Sequence, residues 1–260
     1  MDHLTVEIVG GALVGLSLGL VGAGGAILTV PIFGALLGHP AKQAFLEAVA
    51  VTGAVSAIAG TRAAFGRMVD WRQVALFGIP GVVGAMAGAP VAARMPAALQ
   101  VALFALLAAA AGWRMWVSAA TDSGAPRTAP VRKPVRTVVA GFVLGVLTSI
   151  LGVGGGFILI PALVLLEGLA MPRAVATSLV VIAINAGASL AGAQLSGAMD
   201  QALPVWRAVA IVAGCGVVGC EVGRALGTHL PPAVLRRAFA AVLLCVAAFM
   251  LWRQFDATPN

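Results

Sequence analysis

Residues 15–31 read GLSLGLVGAGGAILTVP, and residues 145–161 read GVLTSILGVGGGFILIP. Each is an apolar stretch interrupted by a glycine cluster and closed by a proline. Gly15, Gly22, Gly24, Gly25 and Pro31 fall on Gly145, Gly152, Gly154, Gly155 and Pro161 at a constant offset of 130. Further on, Gly81, Gly84, Gly88 and Pro96 fall on Gly216, Gly219, Gly223 and Pro231 at an offset of 135. So many Gly and Pro at steady offsets indicate an internal duplication, with residues 1–117 and 137–260 as two membrane repeats joined by a polar linker at 118–136.

The glycine clusters decide how each repeat begins. About 34 apolar residues as one helix would run roughly 50 Å, well past a hydrocarbon core of about 30 Å. Each successive glycine also costs a helix about 1 kcal/mol relative to alanine. The reading is therefore a break at 22–25 and another at 152–156, each followed by a short second arm in a hairpin or re-entrant pair. Broken backbone at membrane depth is tolerated only where it is buried in protein or lines a cavity. Freed peptide N–H groups and the N-terminus of the next arm carry partial positive charge and suit an anion. The competing reading of the glycines is close helix packing, as in Gly15/Gly19, Gly84/Gly88 and Gly219/Gly223. A dinucleotide fingerprint is excluded, because that motif needs a strand before it and an aqueous βαβ unit around it.

The rest of the chain agrees with a membrane setting. Of 260 residues 61% are hydrophobic and 10% charged, with a mean hydropathy of +1.05. Soluble domains hold about 45–50% apolar and about 25% charged residues. A pI near 11 and a net charge of +7 suggest nucleic acid, but the Arg and Lys are scattered singly between apolar stretches and form no binding face. The expected fold is an all-α polytopic membrane protein: two pseudo-symmetric, inverted repeats with about eight full spans plus short broken segments. If each break turns the chain back, 12 of the 16 basic residues share one side, namely Arg62, Arg67, Arg72, Arg114, Arg127, Arg132, Lys133, Arg136, Arg173, Arg224, Arg236 and Arg237. The positive-inside rule then puts 62–72 and the linker in the cytoplasm and both termini outside. The N-terminal MDHLTVEIVGG has no basic start, so the first apolar stretch is expected to be retained.

Ionisable and polar groups inside spans are functional candidates by default. Glu47 lies about five residues into the run 42–61; buried and protonated it would couple proton movement to transport, whereas at a shallow depth it would simply face headgroup water. Asn185, near the centre of the run 173–195, reads as an interhelical hydrogen-bond bridge or as substrate lining. Glu221 and Arg224 read as a surface i,i+3 pair, and Asp70 as a helix N-cap. Cys215, Cys220 and Cys245 read as packing cysteines. His3, His39 and His229 lack partners at metal-ligand spacing, so no metal site and no cofactor are expected. Ser17, Thr29, Thr148 and Ser149 flank the breaks, and the five Trp sit near span ends as an interfacial belt.

The paired G-x-G-G-(G/A)-x(5)-P stretches, the loop Gly66-Arg67-Met68-Val69-Asp70-Trp71-Arg72 and the second-half Ala176-Thr177-Ser178-Leu179 resemble the TauE/SafE (sulfite exporter) family over roughly residues 10–252. The resemblance implies a bacterial inner-membrane permease, not an enzyme, moving a small sulfur-containing anion such as sulfite or an organosulfonate. Carried over by motif, Gly22, Gly24, Gly25, Gly152, Gly154, Gly155 and Gly156 are the central breaks, and Thr177 and Ser178 are polar lining residues. The first half departs from the pattern: where the family often has Thr-Ser-Leu, this chain reads Phe45-Leu46-Glu47. An acid there either repels an anion or carries a proton. The partners implied are the lipid bilayer and the anion; homo-oligomerisation is left open. The alternatives are a passive anion channel and, less favoured because no His lies in any span, an intramembrane enzyme.

Overall fold

The computed structural model describes residues 2–21, 24–120, 134–151, 156–165, 167–201, 204–227 and 229–256. Among these residues there is no strand. The helices are α1 (His3–Val21), α2 (Gly24–Pro31), α3 (Ala41–Phe65), α4 (Trp71–Gln73), α5 (Ile79–Arg94), α6 (Ala97–Ala120), α7 (Pro134–Leu151), α8 (Gly156–Leu165), α9 (Met171–Leu195), α10 (Ala198–Gln201), α11 (Trp206–Gly227) and α12 (Pro232–Asp256). A π-helical turn, Ile32–Leu36, extends α2, and another, Val74–Gly78, joins α4 to α5 in one rod. Pro80, just beyond that second turn, has no N–H to give and crowds the preceding turn, and a widened turn is one way a helix accommodates this.

Among the described residues, six helical stretches are long and apolar enough to cross a bilayer: His3–Leu20, Ala41–Phe65, Trp71–Arg94, Ala97–Val117, Met171–Leu195 and Trp206–Gly227. The sequence suggests about eight. The remaining apolar stretches, Val135–Leu151 and Ala240–Met250, are shorter. Outward-facing Leu4, Ile8 and Leu13 on α1, Val135, Val139 and Phe142 on α7, and Ile79 and Val83 on α5 are at least 41% exposed, a surface that only lipid tails would cover without penalty. Trp71 and Trp206 open their helices and Trp252 lies near the end of α12, all more than half exposed.

Packing follows the sequence offsets. α1 lies on α11 and α5 lies on α7, while α3 packs on α9 and α6 on α12. A Cβ built on Gly15 would sit 1.8 Å from the Gly216 carbonyl oxygen, and one on Gly145 would sit 2.0 Å from that of Gly81. Gly219 meets the Ala12 carbonyl at 2.3 Å where Gly84 meets that of Phe142 at 2.2 Å. Such approaches leave no room for any side chain, so at these positions the glycines serve helix packing. The numbering rises along both partners, so α1 runs parallel to α11 and α7 parallel to α5. In the centre α3 and α9 are antiparallel: Gly53 faces Ala186, and Gly60 faces Leu179 and Val180.

Helix ends match as well. His39 donates its N–H to the Phe33 carbonyl, and Leu169 donates to that of Leu163; Gly38 (φ 74°) and Gly168 (φ 68°) make the two left-handed turns. α1 stops at Val21 and α2 starts at Gly24, while α7 stops at Leu151 and α8 starts at Gly156. Gly22, Gly152, Gly154 and Gly155 lie outside the described residues. Ile32 returns to within 3.0 Å of the Cβ position of Gly10, so in the first half the chain runs back along α1.

Candidate functional site

Two of the cavities beside the central α3–α9 pair correspond to one another across the two halves. The larger, about 240 Å³, lies where the C-terminal part of α3 meets the start of α9. It is lined by Leu20 from the end of α1, Ala59, Arg62, Ala63, Ala176, Leu179, Cys220 and Arg224. The smaller, about 50 Å³, lies where the start of α3 meets the C-terminal part of α9, and is lined by Ile150 from the end of α7, Leu46, Val49, Ala89, Ser189 and Ala193, together with Lys42, Gln100 and Ser149. The linings correspond: Leu20 with Ile150, Ala59 with Ser189, Ala63 with Ala193, Ala176 with Leu46, and Leu179 with Val49 are each 130 apart. A 25-residue helix is about 37 Å long, so the cavities open toward opposite ends of the bundle.

The ends differ in charge. Glu221 bridges Arg62 and Arg224, each at 2.7 Å, at the rim of the larger cavity. The predicted Glu221–Arg224 pair is thus present and gains an interhelical partner from α3. Cys220 is buried beside it, and Cys215, Cys220 and Cys245 are all free thiols. At the smaller cavity the Lys42 ammonium donates to the Ala93 carbonyl at 2.7 Å.

Along the two central helices, at the smaller cavity and between it and the larger one, polar groups are buried with nothing to bond. Thr52 Oγ1, Ser56 Oγ, Asn185 Oδ1 and Ser189 Oγ are buried without a hydrogen-bond partner. Unpaired buried oxygens are costly, and in native folds they mark a function or an absent partner. Asn185 is 4% exposed and presses on Gly81, where a Cβ would lie 2.6 Å from Oδ1. The interhelical bridge, one of the two readings of Asn185 from sequence, is therefore not made by this oxygen.

Glu47 and Thr177 occupy corresponding positions on α3 and α9 and do corresponding work. Glu47 Oε1 accepts the backbone N–H of Val205, just before α11, at 2.8 Å. Thr177 Oγ1 accepts the backbone N–H of Asp70, just before α4, at 3.0 Å. Each central helix thereby holds the first turn of a neighbouring rod. Asp70 is the N-cap expected from sequence, accepting from the Arg72 and Gln73 amides. Ser178 donates to the Val175 carbonyl at 2.8 Å, and Thr148 to that of Leu144 at 2.7 Å. Glu47 is 0% exposed, and both its oxygens are engaged: Gln43 Nε2 reaches Oε1 at 3.0 Å and His39 Nδ1 lies 2.6 Å from Oε2.

Several of these groups are silent in the sequence. His39 reads as a loop residue, yet folding back of the chain brings it to Glu47. Glu167, also buried, accepts from Gln73 and Thr137, an arrangement assembled from three separate segments. Gly24, Gly25 and Gly156 lie in the first turns of α2 and α8. Among the described residues, no three His, Cys, Asp or Glu side chains gather as a metal site.

Residues 7–250 match the family described as sulfite exporter TauE/SafE. The chain is 29% identical over 259 residues to a probable membrane transporter protein of Xylella fastidiosa strain Temecula1, covering 98% of this chain and 97% of that one. It is 28% identical over 243 residues to the probable membrane transporter protein y4hK of Sinorhizobium fredii, with 93% and 94% covered. No solved structure matches it.

Proposed function

Because the chain belongs to the sulfite exporter TauE/SafE family of membrane transporters, we propose that it is a secondary carrier of a small anion, sulfite or an organosulfonate, working by alternating access in the inner membrane. The observation that carries this reading is the pair of corresponding cavities at opposite ends of antiparallel α3 and α9, one large and one small. A duplicated unit in two opposed orientations can exchange the shapes of its halves, so that the open cavity closes as its counterpart opens. On this reading the two halves are inverted repeats and the larger cavity faces the cytoplasm, since Arg62, Arg67, Arg72, Arg173 and Arg224 belong to its end.

The substrate site is the region between the cavities. Gly22, Gly24, Gly25, Gly152, Gly154, Gly155 and Gly156 supply peptide N–H groups toward an anion. Thr177, Ser178 and Asn185 supply polar contacts. The unpartnered buried oxygens of Thr52, Ser56, Asn185 and Ser189 support a polar occupant in an otherwise apolar interior. Glu47, the fully buried acid of α3, is the group through which protons enter the cycle.

Purified protein in liposomes tests this. Saturable counterflow of radiolabelled sulfite, or of taurine or sulfoacetate, is the expected result; unsaturable conductance, or no flux across the panel, rejects the carrier. Gly24→Leu and Gly154→Leu should abolish counterflow while the protein still inserts, and unchanged flux in both would remove the site from the glycine breaks.

A further inference from the structure

Corresponding positions that do the same bonding but differ in chemistry show where one half has acquired something the other lacks. At 177 the group holding the neighbouring rod is a neutral hydroxyl; at 47 it is a carboxylate. The carboxylate lies against His39, whose counterpart at 169 is leucine. The Nδ1–Oε2 separation is 2.6 Å, and the imidazole packs on Phe33 with ring centroids 5.7 Å apart. Glu47 is sealed from solvent whereas the His39 side chain is 19% exposed. His39 also lines an open recess of about 330 Å³ with Gly34, Ala98, Val101 and Phe249. An acid that solvent does not reach is thus joined to the outside through a single titratable ring.

We propose that His39 and Glu47 form a proton-binding site that controls how firmly the start of α11 is held to α3. The proposal rests on the carrier reading above and gives its coupling a location. With one proton in the site, an imidazolium faces a carboxylate, and the carboxylate also takes the Val205 N–H in a charge-assisted hydrogen bond. A second proton, arriving by way of His39 from the recess, leaves imidazolium beside a neutral carboxyl. Hydrogen bonds to ionised acceptors are roughly twice as strong as neutral ones, so protonation weakens the hold on Val205 and frees the first turn of α11. The proton leaves by the same path in reverse.

Among the described residues, the other charged or titratable residues at this end are Asp2, His3 and Glu7 near the start of α1, Lys42 on α3, Arg94 at the end of α5, Asp200 on α10, Arg207 on α11, and Arg253 and Asp256 at the end of α12. None is hydrogen-bonded to His39 or Glu47, and Lys42 is committed to the Ala93 carbonyl.

Hydrogen–deuterium exchange of the full-length protein in lipid nanodiscs, followed across residues 204–212, reads the hold directly. After correction for intrinsic exchange, the wild type should exchange several-fold faster at pH 5 than at pH 8. Glu47→Thr installs the residue that does this job at 177 and should remove the pH dependence; Glu47→Gln, which keeps an acceptor without a titrating charge, is the second variant should the first not fold. In liposomes loaded with sulfite, a pH gradient should change wild-type flux several-fold, and whatever flux these variants retain should not respond to the gradient. A wild-type exchange profile independent of pH, or a variant that keeps the wild-type response, overturns the proposal. Absence of any wild-type counterflow would instead refute the carrier reading, and the exchange measurement still decides the proton site.

Discussion

Arg67 stands at φ 53° and its counterpart Gly197 at φ 70°, each in the left-handed turn that ends a central helix. The Met68 N–H reaches back to the Ala63 carbonyl and the Arg67 N–H to that of Ala64, a helix-ending pattern that favours glycine. An L residue in this conformation costs about 1–2 kcal/mol. Arg67→Gly should therefore raise stability by about 0.5–1 kcal/mol after the extra chain entropy of glycine is subtracted. Thermal unfolding in detergent checks it, and a lower midpoint would mean that the arginine side chain contributes more than its backbone costs. At this scale the sequence identifies the cap at Asp70 and the Glu221–Arg224 pair, because each depends on neighbours three residues away or fewer. It does not identify the partners of Glu47, since Val205 lies 158 positions along the chain.

At the scale of elements, the glycines separate into two kinds. Gly11, Gly15, Gly19, Gly84, Gly88, Gly145, Gly219 and Gly223 touch backbone of the opposing helix, and backbone cannot swing aside as a side chain can. Gly15→Ala and Gly145→Ala should each cost about 3 kcal/mol, the upper end of ordinary overpacking. Gly187 and Gly214 have nothing within 4 Å of a Cβ, and alanine there should be neutral or stabilising by up to about 1 kcal/mol. The fraction remaining monodisperse after heating in detergent separates the two groups; equal behaviour would show that the close packing is not what holds these helices together. Spacing alone reveals that such glycines pack something. It does not reveal that α1 packs on α11 while α5 packs on α7, because the partner lies in the other half.

Across the whole molecule, the ends of the bundle carry opposite tendencies. Arg62, Arg67, Arg72, Arg173 and Arg224 belong to the end with the larger cavity, and Lys42, Arg94 and Arg207 to the other. This distribution predicts a periplasmic C-terminus. Alkaline phosphatase fused after Asn260 should be active in cells and green fluorescent protein at the same place should be dark; the reverse pattern would invert the topology and make the larger cavity face outward.

The chain by itself determined that this is a helical membrane protein, because apolarity and span length are local properties that any lipid-embedded backbone must respect. Only the tertiary structure decided which glycines meet, that Glu47 is sealed and joined to His39, and that Asn185 presses on Gly81 with its oxygen unpaired. Those outcomes arise from contacts between segments far apart in the chain, where the geometry of antiparallel helices, and not the identity of sequence neighbours, selects the partners.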